Sequence, residues 1–584
     1  MENQKQLFFQ SEADDYPPRP QSEAPAQVVG TTNLYENGQL NYVPMPTPDP
    51  KDPLNLPQWR KIAAIVSICF FGALALSAET IIGALIPVFA LEYAGIDPKI
   101  LSQVDVSTLS PAGVVNLNPL KMLAGIGGPP LWKISLLASL PLLTNGISSY
   151  FLVPLSISIG RRPVLLICGV MAWTGGFWAA MSRSLDSHIA ARCVQALGAG
   201  AVEALIPLII QDMVFIHQRN RAMSFVWSAQ GLIIVSLGIV SPLIVAGVGW
   251  RYLYFLTSGL AVLAWLALVA FLPETRWQRS KEELGKLVIS NFITIHESDH
   301  IAGGKNVYYL FPGENRPRLD ATTDGPRTTW TDLGFFQNGF EHKAAGKSFI
   351  DTLRTMVFPN ILWVIAVNSM FIAIQGAASQ TGSSVLIASG WKFKTLGLAV
   401  IPIVIATPFV ALLGGYVADK VTNAVARRNG GQKEPEGNLL NLILPLILVI
   451  IGSILFGYAG EHIKTVHWSV LLLGIFGISL GSLTANTVLS VYIIESYPQW
   501  AGPVLVNVAS WRCIIGFAMS FHATTWVEER GFLGSFGLYA GVLVVIACFL
   551  PVIYIFGKRI RQWTAGTVKM EQSPSEKKEV YLDY

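Results

Sequence analysis

Charge is what this sequence has least of. Of its 584 residues only 13% are Asp, Glu, Lys or Arg, about half the roughly 25% usual in a soluble protein. So little charge does not cover a globular surface in water, and the deficit points to lipid as the solvent. The net charge of +4 is too small and too dispersed for nucleic acid, and none is expected as a partner. Cysteine is scarce too: Cys69, Cys168, Cys193, Cys513 and Cys548 all fall inside apolar runs, where a thiol acts as a small hydrophobe. That placement excludes a disulfide framework. The opening MENQKQLFFQSEADDYPPRPQ has no basic segment leading into an apolar core, so no cleaved signal peptide is expected. The first long apolar segment then serves as the signal.

What is present is hydrophobic length. Residues are 52% hydrophobic, with 16 Trp and 17 Tyr, a supply of side chains suited to the membrane interface. Residues 1–58, rich in Pro, Gln, Asn and acid, bury too little apolar surface to fold and read as a disordered tail. Beyond Lys61, apolar stretches of about 20 residues recur, the length a helix needs to cross about 30 Å of hydrocarbon. Twelve can be placed, at 62–86, 134–157, 163–182, 189–211, 223–247 and 252–272, then 358–379, 396–417, 438–459, 467–493, 502–524 and 533–556. Helices are expected throughout, because open strands leave backbone groups unpaired in lipid. The domain reading is a tail at 1–58, a six-helix bundle at 59–275, a polar loop at 276–352, a second six-helix bundle at 353–557 and a tail at 558–584.

Basic residues orient this arrangement. Arg60, Lys61, Arg161, Arg162, Arg219, Arg221, the central loop, Lys420, Arg427, Arg428, Lys558, Arg559 and Arg561 fall on one side. The positive-inside bias places that side, with both termini and the central loop, in the cytoplasm, and the chain as a multi-pass protein of the cell membrane. The long connection at 95–131 falls on the other side, as a lid, a re-entrant piece or an artefact of the gene model.

Four charges fall well inside the predicted spans: Glu79, Arg192, Glu203 and Arg512. Each costs roughly 2.5–3.5 kcal/mol at mid-membrane, so they are expected to face a cavity or one another. Arg192, Gln195 and Glu203 share one helix, and eleven residues bring Glu203 within about 20° of Arg192, about 16 Å along the axis. Arg192 is close enough to the outer end to snorkel; Glu203, near mid-span, is not. A carboxylate in a partly dry passage can load and release a proton. Glu203 is therefore the leading proton-coupling candidate and Glu79 the second, with Arg192 beside them. A static ion pair between helices is the alternative. Arg512 keeps its proton and suits an anionic group of a substrate or a fixed Glu partner. Asn145, Gln375, Gln380, Asn486, Tyr492 and Asn507 add hydrogen-bonding groups that could line a substrate path; singly, each is as well explained by packing between helices.

Several motif matches fail on context. AAGKS at 344–348 has Glu341 where a phosphate loop needs its first Gly, and no strand precedes it. GISLG at 477–481 and GAGA at 198–201 lie inside apolar spans and read as close helix packing. HESDH at 296–300 reads as a solvated loop. No metal or organic cofactor is expected, and without a nucleotide site an ion gradient is the expected driving force.

Gly160, Arg161, Arg162 and Pro163 make a basic turn between spans two and three, and GGYVADKVTNAVARR occupies the corresponding turn of the second half. Asp212 closes span four, and Glu495 closes span ten at the equivalent point. With DPLNLPQWRK, VPLSISIGRRPVLL, ARCVQALGAG, GWRYLYFL, PETRW, GGYVADK, ESYP and GKRIRQW, the chain resembles the major facilitator superfamily, and within it the fungal twelve-span drug:proton antiporters, over residues 52 to about 563. Ile157 stands where the family pattern often has Asp, and Ser241 precedes Pro242 where a Gly-Pro is usual. The resemblance implies an all-α membrane fold of two pseudo-symmetric six-helix bundles around a central cavity. It further implies a cytoplasmic gate in which Arg161 or Arg162 pairs with Asp212 while Asp419 and Lys420, near Glu495, do similar work. The expected activity is not enzymatic: proton-coupled efflux of a small organic compound, such as a drug, toxin or secondary metabolite, by a monomer. Uptake of a nutrient or organic cation, and a receptor that does not transport, are the alternatives.

Overall fold

A computed structural model of the chain describes residues 49–80, 85–96, 128–277, 342–463 and 465–565, with Ile82, Thr567–Val568 and short pieces within 27–47 and 295–334. Twelve of its helices or helix segments are long and apolar enough to cross a membrane. The first half consists of α1 (Gln58–Thr80), a short α2 (Ile86–Tyr93), α3 (Leu131–Ile159), α4 (Arg161–Met181), α5 (Leu185–Met213), α6 (Arg219–Gly247) and α7 (Trp250–Phe271). A linking helix α8 (His342–Thr355) leads to α9 (Pro359–Ala388), α10 (Ile401–Val410), α11 (Ala418–Arg428), α12 (Ile443–Glu461), α13 (Ser469–Ser496), α14 (Ala501–Ala547) and α15 (Leu550–Ala565). The result is the two-bundle, twelve-span architecture expected from the hydrophobic runs. Twelve crossings return the chain to the face where it began, so the approach to α1 and the end of α15 share one face, the terminal face; the other is the distal face.

Two spans depart from simple helices for identifiable reasons. α10 and α11 are joined by a π-helical stretch, Ala411–Val417, just after Pro408 removes a backbone donor. α14 supplies two spans, because Gly531 has φ 76° and ψ 174° and breaks the helix. The twelfth crossing, expected as a continuous run over 533–556, is interrupted between Ala547 and Leu550. Aliphatic and aromatic side chains such as Phe151, Met181 and Val545 remain exposed on the outer surface, as a lipid-facing helix requires. Inside each half, small residues set the contact distance. A Cβ on Gly481 would lie 2.5 Å from the Pro445 carbonyl of α12, and one on Gly198 2.4 Å from the Cys168 carbonyl of α4.

The halves meet along two seams. α3 packs against the first part of α14, and α6 packs against the chain from 393 to 417. At the first seam Tyr150 donates its hydroxyl proton to Asn507 Oδ1 at 2.9 Å, and at the second Ser224 Oγ donates to the Val410 carbonyl at 2.8 Å.

Three sequence expectations change. The reading of 1–58 as one disordered tail takes in an ordered stretch, where Thr47 N and Leu54 N donate to the buried Asp52 carboxylate, both at 2.9 Å. HESDH, read as a solvated loop, lies largely in a strand, Ile295–Asp299, paired antiparallel with Lys305–Tyr309. Arg161 and Arg162 belong to the first turn of α4 rather than to the turn before it. The connection at 95–131, read as a lid, a re-entrant piece or an artefact of the gene model, falls mainly on residues outside those described.

Gly160, at φ 111° and ψ 157°, holds a backbone conformation open almost only to glycine, and an added Cβ would sit 2.4 Å from Glu274 Oε2. Gly160→Ala is expected to destabilise the protein by about 1–3 kcal/mol, read as a lower thermal midpoint in detergent. An unchanged midpoint would refute the close packing of this turn.

Candidate functional site

The first-half cluster at the terminal face is built on α4. Its basic N-terminus runs against the helix dipole, and Glu274, just beyond α7, supplies the missing negative charge. The Glu274 carboxylate accepts the backbone N–H groups of Arg161 at 3.0 Å and Arg162 at 3.1 Å, and of Thr275 and Arg276 at 2.9 and 2.8 Å. Arg276 then donates to the carbonyls of Ile157 and Ser158 at 2.9 and 2.7 Å. With the backbone so held, the side chain of Arg161 forms an ion pair with Asp212 and donates to the Leu208 carbonyl at 3.1 Å. Arg162 turns the other way, to the carbonyls of Val269 at 2.8 Å and Gly334 at 3.1 Å. Of the two arginines offered for Asp212, the geometry selects Arg161. Glu274 and Arg276 were not chosen from sequence, although both lie in the PETRW motif.

The second half uses different partners from those expected. Lys420 does not join Asp419; its ammonium lies 4.3 Å from the centre of the Tyr416 ring. Asp419, buried, accepts the backbone N–H of Arg221 at 3.2 Å, so it caps α6 of the opposite half. Glu495 pairs with Lys433 at 2.7 Å, and Lys433 Nζ also reaches the Ile216 carbonyl of the first half at 3.4 Å. Arg561 grips Glu436 with two bonds, of 2.7 and 2.8 Å. Lys433 and Glu436 sit in GGQKEPEG, which reads locally as an ordinary solvated loop.

A second polar layer lies deeper. Glu203 and Asn486 are each 10 residues, and Gln230 and Arg512 each 11, from the terminal-face ends of α5, α13, α6 and α14. At 1.5 Å per residue that is about 15 Å in, the middle of the hydrocarbon. Arg512, 7% exposed, donates from Nε to Glu203 Oε2 at 3.0 Å and from Nη1 to Asn486 Oδ1 at 3.0 Å. A second contact, between Nη2 and Glu203 Oε1, makes the pair bidentate. Cys513 Sγ lies 3.7 Å from the same carboxylate. Gln230, 1% exposed, faces Gly72 of α1, where an added Cβ would fall 2.3 Å from its Nε2. Neither amide atom of Gln230 has a hydrogen-bond partner among the described residues. Its sequence signal was a single amide in an otherwise apolar run.

The polar stripe expected on α5 is divided between two environments. Arg192 is 1% exposed, which rules out snorkelling, and donates to Gln195 Oε1 at 2.6 Å and the Leu137 carbonyl at 3.4 Å. One turn away, His188 is held between the hydroxyls of Tyr93 and Tyr254, both at 2.9 Å, and stacks on Trp250. Glu203 belongs instead with Arg512, in the arrangement of an ion pair between helices. Glu79 lies near the end of α1, and its side chain is outside the described residues.

The remaining substrate candidates are dispersed. Asn507, fully buried, donates to the Thr352 carbonyl at 2.7 Å and to Thr355 Oγ1 at 3.0 Å. Tyr492 accepts from Asn360 Nδ2 at 3.5 Å, in a network continued by Tyr497 and Thr564. Both therefore belong to packing near the terminal face. Asn145 is buried where α3 meets α5, its carbonyl accepting from Ser148 Oγ at 2.9 Å. Gln375 and Gln380 are half-buried on α9.

Two helical bundles joined along two seams, with a buried charge pair at mid-depth, define a multi-pass membrane transporter. The family model of the Major Facilitator Superfamily matches residues 68–518, and the chain belongs to that family. It is similar to an uncharacterized MFS-type transporter of Schizosaccharomyces pombe, 22% identical over 91% of this chain and 90% of that one. It is also similar to the efflux pump radE of Floropilus chiversii, 22% identical over 89% and 85%. The solved structure of the proton:xylose symporter XylE shares the fold, with a TM-score of 0.51, 14% identity and coverage of 84% and 95%. The chain is thus a transporter with a small-molecule substrate, not an enzyme.

Asp212→Asn leaves the guanidinium of Arg161 in a mostly buried site without its counter-charge. The expected loss is on the order of 3 kcal/mol, read as a lower thermal midpoint, with Arg161→Gln in the same chain restoring much of it. Recovery in Arg162→Gln/Asp212→Asn, with none in the Arg161 double variant, would reassign the pair.

Proposed function

We propose that this protein exports a small organic compound, such as a drug, toxin or secondary metabolite, in exchange for protons by alternating access. The observation that carries the reading is the Glu203–Arg512 pair, which joins the two halves at mid-depth. A buried guanidinium keeps its proton, so the carboxylate is the group that can change charge. A proton on Glu203 cancels the attraction and leaves Arg512 to Asn486; a cargo that donates to Glu203 competes with that proton for the same oxygens. Mutual exclusion of proton and cargo at one carboxylate is the requirement for exchange.

The contacts of Asp419 with Arg221, Lys433 with Ile216, and Tyr150 with Asn507 hold the halves together at the terminal face. They correspond to a gate closed on that side, with Arg161–Asp212 and Lys433–Glu495 stiffening each half behind it. The basic residues of the terminal face support its placement in the cytoplasm with both termini, and the cell membrane as the site of action. The bundles at 59–275 and 353–557 are taken as the two moving bodies of a monomer. The radE relative is named an efflux pump, which supports export, and XylE is described as a proton:xylose symporter, which supports coupling to protons.

The test uses proteoliposomes loaded with a pH-sensitive dye and compounds that raise the protein's thermal midpoint. Glu203→Gln is expected to abolish cargo-induced proton flux while cargo exchange at equal pH persists. Full pH-driven flux in Glu203→Gln would remove the coupling role, and cargo moving in the same direction as the proton would replace export with uptake.

A further inference from the structure

Helix α8 is turned in an unusual way. Its Ser348, Thr352 and Thr355 are buried against the bundle, while Phe349, Ile350 and Leu353, with Val357 just beyond, are exposed, Ile350 at 65% and Val357 at 72%. In water such a helix presents its wrong face. Its surroundings supply the reason. α8 packs on α3 and on the first part of α14, and its last turn is held by Asn507, six residues or about 9 Å inside the start of α14. α3, the membrane-spanning helix on which α8 packs, itself exposes Phe151 and Leu155, so α8 adds exposed apolar side chains to a helix that already turns such side chains to lipid. Lys343, Lys347 and Arg354 are exposed on the same helix, whose only acid is Asp351. The Arg354 guanidinium lies 5.5 Å from the centre of the Trp500 ring, an aromatic residue suited to the headgroup layer.

We propose that α8 is an interfacial anchor, its apolar side chains Phe349, Ile350, Leu353 and Val357 entering the acyl region while Lys343, Lys347 and Arg354 hold the headgroup of an anionic phospholipid. Exposed apolar residues beside a basic cluster match the two forces that bind a helix to an anionic membrane surface. The anchor bears on the junction of the two halves, because Asn507, which fixes α8, also accepts from Tyr150 across the seam. Lipid charge would then bias the closure of the terminal face. This inference requires the fold but not the cargo or the coupling ion proposed above.

The test uses the full chain in vesicles of phosphatidylcholine, with or without phosphatidylserine. A photo-crosslinking benzophenone side chain replaces Ile350, and mass spectrometry identifies the adduct. A phospholipid adduct is expected; capture of a second protein, or no lipid adduct, overturns the proposal. In detergent, affinity for a fluorescent phosphatidylserine is expected to fall about fivefold for each lysine removed in Lys343→Gln and Lys347→Gln. The exposed Lys392 and Lys394 of the distal face are the control. Unchanged affinity in the α8 variants, or an equal fall in Lys392→Gln/Lys394→Gln, also overturns it.

Discussion

A guanidinium in the middle of a bilayer must be surrounded by acceptors, and Arg512 organises the centre of this protein around that need. Its charge does not leave, and the cost of keeping it unpaired in hydrocarbon is several kcal/mol. Glu203 supplies two oxygens and Asn486 a third acceptor. The three groups come from α5, α13 and α14, so satisfying one side chain draws the first half to the second at mid-depth. Gln230 and Gly72, from α6 and α1, lie at the same level.

The same economy of charge operates at the terminal face. Arg161–Asp212 and Lys433–Glu495 each lie inside one half, whereas Asp419 and Lys433 also touch backbone of the opposite half. Stiff halves and polar seams follow from that division. Side chains bonded within a half keep it together as a body, and contacts between a side chain and the other half's backbone separate without leaving two buried charges unpaired. The short approach between Ser224 and the Val410 carbonyl adds a neutral contact of the second kind.

How much of this is legible varies with the distance between partners. The turn and the end of span four carry recognisable patterns that bring a basic residue to Asp212, but Arg161 and Arg162 fit equally; only the folded chain, in which the backbone N–H groups of α4 donate to Glu274 and the Arg161 side chain pairs with Asp212, shows which arginine turns that way. Glu203 and Arg512 were both conspicuous as charges in apolar runs, but they are 309 residues apart and nothing local says that they meet. Lys433 and Glu436 were missed because a polar loop gives no hint that its side chains are buried. Asn507 and Tyr492 were placed too deep: an amide or phenol a turn or two inside a helix end looks the same in sequence as one lining a path.

Hydrophobic period and length by themselves determined the solvent, the number of crossings and the helical character of each, because lipid leaves a backbone no other way to satisfy its polar groups. Scarcity of charge in the spans also singled out the residues that had to find partners. Which partner each found was decided only when the helices packed, since pairing depends on rotation about each axis and on relative depth. The same is true of α8, which falls largely within the stretch read from sequence as a polar loop at 276–352: both its helical form and the choice of face turned to the bundle emerge only in the fold, where Asn507 holds its last turn.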